Sequence, residues 1–266
     1  MLTAKKQKGF SLAEVLMATG ILALGMAFIA GVFPAGIHYT IISTERTMAA
    51  VVADEAFTKI RLYGVDVNLP PPAGTGKLPD VLGGSLGFWE FLPTPILPIQ
   101  SHREFLYPSD IDINPDDSDK QYCWSALCRR IMGARPGDTL VQVTVFVCRK
   151  TAATTNYWRM SGAAITDDSL WPVPVKVNVT AAANGYNIRI IDNNQRTFIT
   201  VGGMLIDNIS GSAYRVLRRD PDDSAIVELD KPWKGPTPSA EVWAVPAAVG
   251  GGRYPVIGVF QREILF

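Results

Sequence analysis

MLTAKKQKGFSLAEVLMATGILALGMAFIAGVFPAGI, residues 1–37, sets one long apolar run behind a cluster of lysines. Lys5, Lys6 and Lys8 precede Gly9, and from Phe10 to Ser43 the only formal charge is Glu14. As a helix, Phe10–Gly31 would be about 33 Å long, against a hydrocarbon core of about 30 Å, so one membrane span fits. The first charges beyond it, Glu45 and Arg46, have opposite signs. The lysine cluster therefore predicts a cytoplasmic N-terminus, with the chain beyond about residue 40 on the other side of the membrane. Glu14 is the anomaly. A carboxylate at mid-membrane costs about 2.5–3.5 kcal/mol on insertion scales, and a plain anchor gains nothing by carrying one. It needs a partner.

The string Gly9-Phe10-Ser11-Leu12-Ala13-Glu14-Val15-Leu16 after a short lysine-rich leader resembles the processing and methylation motif of type IV prepilins. That motif belongs to type IV pilins and to the pseudopilins of type II secretion. The resemblance implies that a prepilin peptidase cuts after Gly9 on the cytoplasmic side. Phe10 then becomes an N-methylated N-terminus, and Glu14 pairs with the α-amine of Phe10 on a neighbouring subunit during filament assembly. Physics agrees with the last role. An ammonium and a carboxylate about 4 Å apart attract by about 4 kcal/mol at an effective dielectric near 20, which offsets the cost of burying the acid. The partners implied are the peptidase, other pilin or pseudopilin subunits and inner-membrane lipid. The location implied is the bacterial inner membrane, single-pass, with the C-terminal domain periplasmic, or extracellular after assembly.

A basic N-region, an apolar run and the small residues Ala27 and Ala30 also describe a secretory signal, but this run exceeds the usual 7–15 residues and carries an acid near its start. Many members of the family have a helix proline at the position of Gly31; here it is Pro34, which removes a backbone hydrogen bond and is expected to kink or locally melt the helix. Gly20, Gly25, Gly31 and Gly36 further lower helix propensity. Beyond Pro34, Ile41, Met48, Val52, Ala56, Ile60 and Tyr63 form one stripe of an amphipathic helix, expected to pack on the chain's own globular domain. Gly64 is a stop signal.

The remainder reads differently. Residues 69–98 are rich in Pro and Gly, loop-like, with an extended spacer at Pro70–Pro72. Gly74-Thr75-Gly76-Lys77 fails as a phosphate loop, because Pro71 stands where the first glycine belongs and Leu78 where the hydroxyl belongs. Asp110, Asp112 and Asn114 alternate like calcium ligands, but Pro115 and Gln121 break the EF-hand pattern, leaving a solvated acidic loop as the default and a weak calcium candidate beside it. Cys123, Cys128 and Cys148 allow one bridge and one free thiol in an exported domain, as Cys123–Cys128 or Cys128–Cys148. From residue 138 onward the period becomes two. Strands are expected at Leu140–Cys148, Val173–Val179, Tyr186–Ile191, Phe198–Val201, Met204–Ile206, Tyr214–Arg218, Ala225–Leu229, Val242–Val245 and Val256–Leu265, with a meander between Gly203 and Pro232 and a turn at 220–224. This predicts a mostly antiparallel sheet or small barrel.

Composition excludes several classes. The chain has 266 residues, 47% hydrophobic and 19% charged, with formal net charge zero. Ample apolar surface excludes wholesale disorder, and the lack of basic excess argues against nucleic-acid binding through bulk charge. A single long apolar run excludes a polytopic membrane protein. No nucleophile elbow, zinc-binding HExxH or dinucleotide fingerprint is present, and a Ser/His/Asp triad would have to use His102, because His38 lies at the membrane boundary. Trp124, Trp158, Trp171 and Trp233 are expected mainly in packing. No cofactor is expected.

The expected fold is therefore α+β. Residues 1–9 form a leader and 10–63 a long helix, transmembrane over about 10–33. Residues 64–135 are an irregular region and 136–266 a β-rich domain. The expected function is structural: a minor subunit of a type II secretion pseudopilus or type IV pilus, and not an enzyme. The competing expectation keeps the helix as a signal anchor and makes the β-domain a ligand-binding module.

Overall fold

The computed structural model describes residues 9, 11–63, 89–90, 105–108, 120–131, 140–152, 154–161, 164–181 and 185–265. Helix α1 runs unbroken over Leu12–Tyr63, with Pro34 inside it. Chain contacts divide the molecule into two units, one ending at Thr47 and one beginning at Met48.

In the first unit residues 12–41 are exposed and, through residue 37, apolar on every side apart from Glu14 and Thr19, as expected of a membrane segment rather than the amphipathic helix of a soluble domain. Ile41, expected in the buried stripe, is exposed here.

In the second unit the helix is amphipathic. Ala49, Val52, Ala53, Ala56, Phe57 and Ile60 are buried, at the i, i+3, i+4 and i+7 spacings of one helical face. They rest on a five-stranded sheet made of β1 (Trp89–Glu90), β2 (Leu106–Tyr107), β3 (Tyr122–Arg130), β4 (Leu140–Arg149) and β13 (Val256–Leu265), ordered β1-β3-β4-β13 with β2 paired to β3. Every pairing in it is antiparallel. Register explains the packing: Trp124 opposes Val147, Ala126 opposes Val145 and Cys128 opposes Val143. These six form one face, which meets the helix together with Val141 and Ile264. Gly258 on β13 lies close to the helix: a Cβ added there would sit 3.1 Å from the Ala49 Cβ and 2.7 Å from the Phe260 ring. At the rim the Arg262 guanidinium lies 4.4 Å from the Phe57 ring centroid and donates to Asp54 at 2.6 Å.

Between β4 and β13 the chain builds everything else. β5 (Tyr157–Ser161) and β6 (Ala164–Ser169) form a hairpin. β7 (Val175–Ala181), β8 (Asn187–Ile190), β9 (Met204–Asp207), β10 (Ala213–Arg219), β11 (Ile226–Leu229) and β12 (Ser239–Ala244) close into an antiparallel barrel of order β10-β11-β8-β7-β12-β9. The expected meander is present as β9-β10-β11. Closure removes the exposed edges that six short strands would otherwise present. Val175, Val177, Val179, Leu205, Val227, Leu229, Val242 and Ala244 fill the interior. Trp233 stacks on Tyr214 at 5.0 Å between centroids, and its indole N–H donates to Pro236 O at 3.0 Å. Alternation sends Ile206, Trp243 and Val245 outward, where they meet Leu106, Cys123, Leu127, Phe146 and Cys148 on the sheet face opposite the helix. The sheet is thus covered on both faces, by helix on one side and barrel on the other.

Three expectations need correction. Tyr122–Arg130, assigned to an irregular region, is a central strand of nine residues. Phe198–Val201, expected as a strand, is instead the last residue of a 3-10 helix at Asn193–Phe198 and the bend and turn after it; the helix is nucleated by Asp192, whose carboxylate accepts the Asn194 N–H at 2.9 Å. The β5–β6 hairpin has no counterpart among the expected strands. The 220–224 turn is as expected: the Asp220 carboxylate accepts the N–H groups of Asp222 and Asp223 at 2.9 and 3.1 Å.

Candidate functional site

The start of α1 is built by two reciprocal hydrogen bonds. The Glu14 N–H donates to Ser11 Oγ at 3.2 Å, and the Ser11 N–H donates to Glu14 Oε2 at 2.9 Å. This is a capping box: Ser11 is the N-cap, Glu14 sits three residues on, and two of the helix's orphan donors are satisfied together. The glutamate therefore has a partner within its own chain. It also stands in the first helical turn, where the helix dipole favours negative charge. Ser11 is the residue that attention to charge alone passes over, although Ser-x-x-Glu before an apolar run is a legible signal.

Gly9 lies just before this cap and is exposed, whereas Phe10 and Lys5, Lys6 and Lys8 are outside the described residues. Beyond the cap the helix presents Leu12, Leu16, Met17, Ile21, Phe28 and Ile29 to its surroundings, each more than 60% exposed. The segment has a mean hydropathy of 2.3 over its most apolar window, with none of that window buried. Nothing lies within 4 Å of a Cβ added at Gly20, Gly25, Gly31 or Gly36, so these glycines leave shallow notches open to a neighbour. The Thr19 hydroxyl, inside the span, is satisfied within the helix as lipid requires, donating to Val15 O at 2.9 Å. Long, apolar and exposed, the helix fits a single-pass membrane anchor.

The other candidate residues do not converge on a site. Asp110, Asp112, Asn114 and His102 lie outside the described residues, among which no cluster of His, Cys, Asp and Glu could hold a metal. His38 sits on the exposed helix beside Tyr39. Cys123, Cys128 and Cys148 are buried free thiols. Both pairings open from sequence involve Cys128, which lies on the helix-facing side of β3, whereas Cys123 and Cys148 share the opposite face. Trp124 and Trp233 are buried, Trp158 packs on Phe198 with centroids 5.1 Å apart, and Trp171 lies beneath Lys150 at 4.4 Å. Asn208 donates to the Glu241 carboxylate and accepts from the Trp243 indole N–H, at 2.8 Å each, and belongs to internal packing. An open hollow beside Thr151, Asn156 and Gly250 is lined without any carboxylate, imidazole or thiol.

The barrel is tied to the sheet by polar contacts. Arg129 donates through Nε and Nη2 to Gln142 Oε1 at 3.1 and 2.6 Å and through Nη1 to Ile209 O. Gln261 Nε2 donates to Gly211 O at 3.0 Å. Burial lowers the pKa of Arg129 from its ordinary value, opposed by the negative charges of Asp207 and Glu263. Gly211 has φ +71°, and a Cβ there would meet Gln142 Oε1 at 2.3 Å. This constellation holds two layers together.

No curated protein and no solved structure matches the chain. The family model that does match covers residues 4–30, and it is the prokaryotic N-terminal methylation motif, so the chain carries the hallmark of type IV pilin and pseudopilin signals on the very segment where Ser11 and Glu14 start an exposed apolar helix.

Proposed function

We propose that this chain is a minor subunit of a type II secretion pseudopilus or type IV pilus, cut after Gly9, N-methylated at Phe10 and assembled through its N-terminal helix. The observation that carries the reading is the methylation motif coinciding with a long apolar helix, none of whose most apolar window is buried among the described residues. Such a surface is soluble only in lipid or against other apolar helices, and filament assembly exchanges the first environment for the second. Glu14 enters that exchange already aligned by Ser11. Among the described residues the carboxylate's second oxygen takes no hydrogen bond, which leaves it for the α-amine of a neighbouring Phe10. The attraction then rewards one particular axial stagger between helices. Pro34 and the four glycines between residues 20 and 36 allow the helix to bend as it packs. The C-terminal domain, on the far side of the membrane, forms the subunit's outward surface.

Mass spectrometry of membrane-purified protein tests this. The expected N-terminus is methyl-Phe10, and the expected companions in sheared filaments are other pilin-like subunits. An intact Met1, or a cut near residue 30, would instead make the helix a signal anchor or a signal peptide and the reading would fail.

A further inference from the structure

Cys123 on β3 and Cys148 on β4 stand directly opposite each other in antiparallel register. Both are buried, and both point to the face that meets the barrel, among Leu127, Phe146 and Trp243. Along the same ladder the Lys150 N–H donates to Gln121 O at 2.8 Å. Two residues further on, Cys123 and Cys148 are therefore a hydrogen-bonded pair, with Cα atoms about 5.5 Å apart, within the range that disulfides favour. Cys128, only five positions along β3, points the opposite way, into the core beneath the helix. Reaching either other thiol would require it to pass through the sheet.

We propose that Cys123 and Cys148 are joined by a cross-strand disulfide in the exported protein, leaving Cys128 as a permanent buried thiol. The inference rests on the reading that places this domain outside the cytoplasm, where thiols are oxidised. The chemistry is an exchange with a thiol oxidoreductase carrying its own disulfide. One cysteine thiolate attacks that disulfide to give a mixed disulfide and a carrier thiolate. The second cysteine thiolate then displaces the other carrier sulfur. The Sγ–Sγ bond forms, the two thiol protons are released to base or to the departing sulfurs, and the carrier is left reduced by two electrons as a dithiol. Both sulfurs are buried once the barrel covers the sheet, and burial pushes the Cys148 thiol upward, away from the reactive thiolate. Exchange therefore belongs to the folding chain, and the finished bond is shielded from reductants. The bond ties together the two strands that lie beneath both the helix and the barrel.

The test has two arms on the full-length chain. In the first, cells are quenched with an alkylating agent, and the membrane protein is digested without reductant. A peptide linking Cys123 to Cys148 is expected, with Cys128 alkylated only after denaturation. In the second, the fully reduced chain is refolded in detergent with oxidised glutathione. The same link is expected, and reducing it should lower the Tm by roughly ten degrees. Formation in the refolding arm but not in cells would uphold the pairing and overturn the compartment reading. Refolded protein with three free thiols, with a link through Cys128, or with the same Tm whether refolded in oxidised glutathione or in excess reductant would overturn the pairing itself.

Discussion

Substituting Glu14 by Gln and by Ala separates the helix cap that its carboxylate makes in the structure from the charge pairing proposed for it in a filament. In the capping box Glu14 accepts the Ser11 N–H at 2.9 Å, and glutamine can serve at that position as well as glutamate. Glu14→Gln therefore keeps the helix start and removes the charge. In the assembled filament the lost attraction is about 4 kcal/mol at 4 Å and an effective dielectric near 20. The relieved cost of placing a carboxylate in lipid is about 2.5–3.5 kcal/mol. The difference, about 0.5–1.5 kcal/mol per subunit contact, corresponds to a roughly two- to tenfold loss of incorporation. Glu14→Ala loses the charge and the cap together, and the missing hydrogen bond adds about 0.5–1.5 kcal/mol at the fraying helix start. The expected order is wild type, then Gln, then Ala. The assay is the ratio of subunit in sheared filaments to subunit left in the membrane, by quantitative immunoblot, with total membrane content as the control for insertion. If Glu14→Gln enters filaments as well as wild type while Glu14→Ala does not, the cap alone is at work and the charge-pairing argument is refuted.

Three further outcomes are expected. Phe57→Ala removes a fully buried ring between the helix and the sheet and also the surface on which Arg262 rests, and it should cost about 3–5 kcal/mol, seen as a Tm lower by roughly ten degrees in detergent; exposed Leu62→Ala should stay within about 0.5 kcal/mol. Gly211→Ala places a Cβ at positive φ and against the Gln142 amide, and chemical denaturation should show a loss of about 1–3 kcal/mol. Asp168 takes two hydrogen bonds from Arg159, at 2.7 and 2.9 Å, and one from the Thr166 hydroxyl, which hold its pKa down to about 2. Because its folded pKa lies below the unfolded value, whatever it contributes to stability is present above about pH 4 and is lost as pH falls through about 2. A carboxyl titration followed by NMR should show that midpoint, and Arg159→Gln should raise it toward the ordinary aspartate value.

How much of this was legible from sequence depends on how cleanly each residue pattern reports one environment. The first part of α1 was plain because lipid imposes one composition on every side of a helix. The second part was plain because Val52, Ala56 and Ile60 repeat at helical spacing. β4 and the β9-β10-β11 meander showed through alternation and turn residues such as the Asp220 cluster. β3 stayed hidden for a physical reason: lying between helix and barrel, it is buried on both faces from Cys123 to Cys128, so YCWSALC carries no alternation. The β5–β6 hairpin was hidden by the opposite circumstance, since its second strand, AITDDS, is largely exposed and reads as polar loop. At Phe198 a buried aromatic looked like a strand residue, but its burial comes from anchoring a 3-10 helix against the barrel. In the N-terminal site, Gly9 and Glu14 were found by motif, while the hydrogen bonds between Ser11 and Glu14 needed the local geometry to be seen.

Because the whole barrel is spliced into the connection between two neighbouring strands of the sheet, the chain leaves and re-enters its scaffold at nearly one point, where the Arg149 N–H donates to Pro255 O at 2.8 Å. Such an arrangement makes the barrel an interchangeable cassette. The six strands can be lengthened, remodelled or replaced by a short turn without rerouting β4 or β13, so a change in the barrel need not disturb the frame from which it is hung.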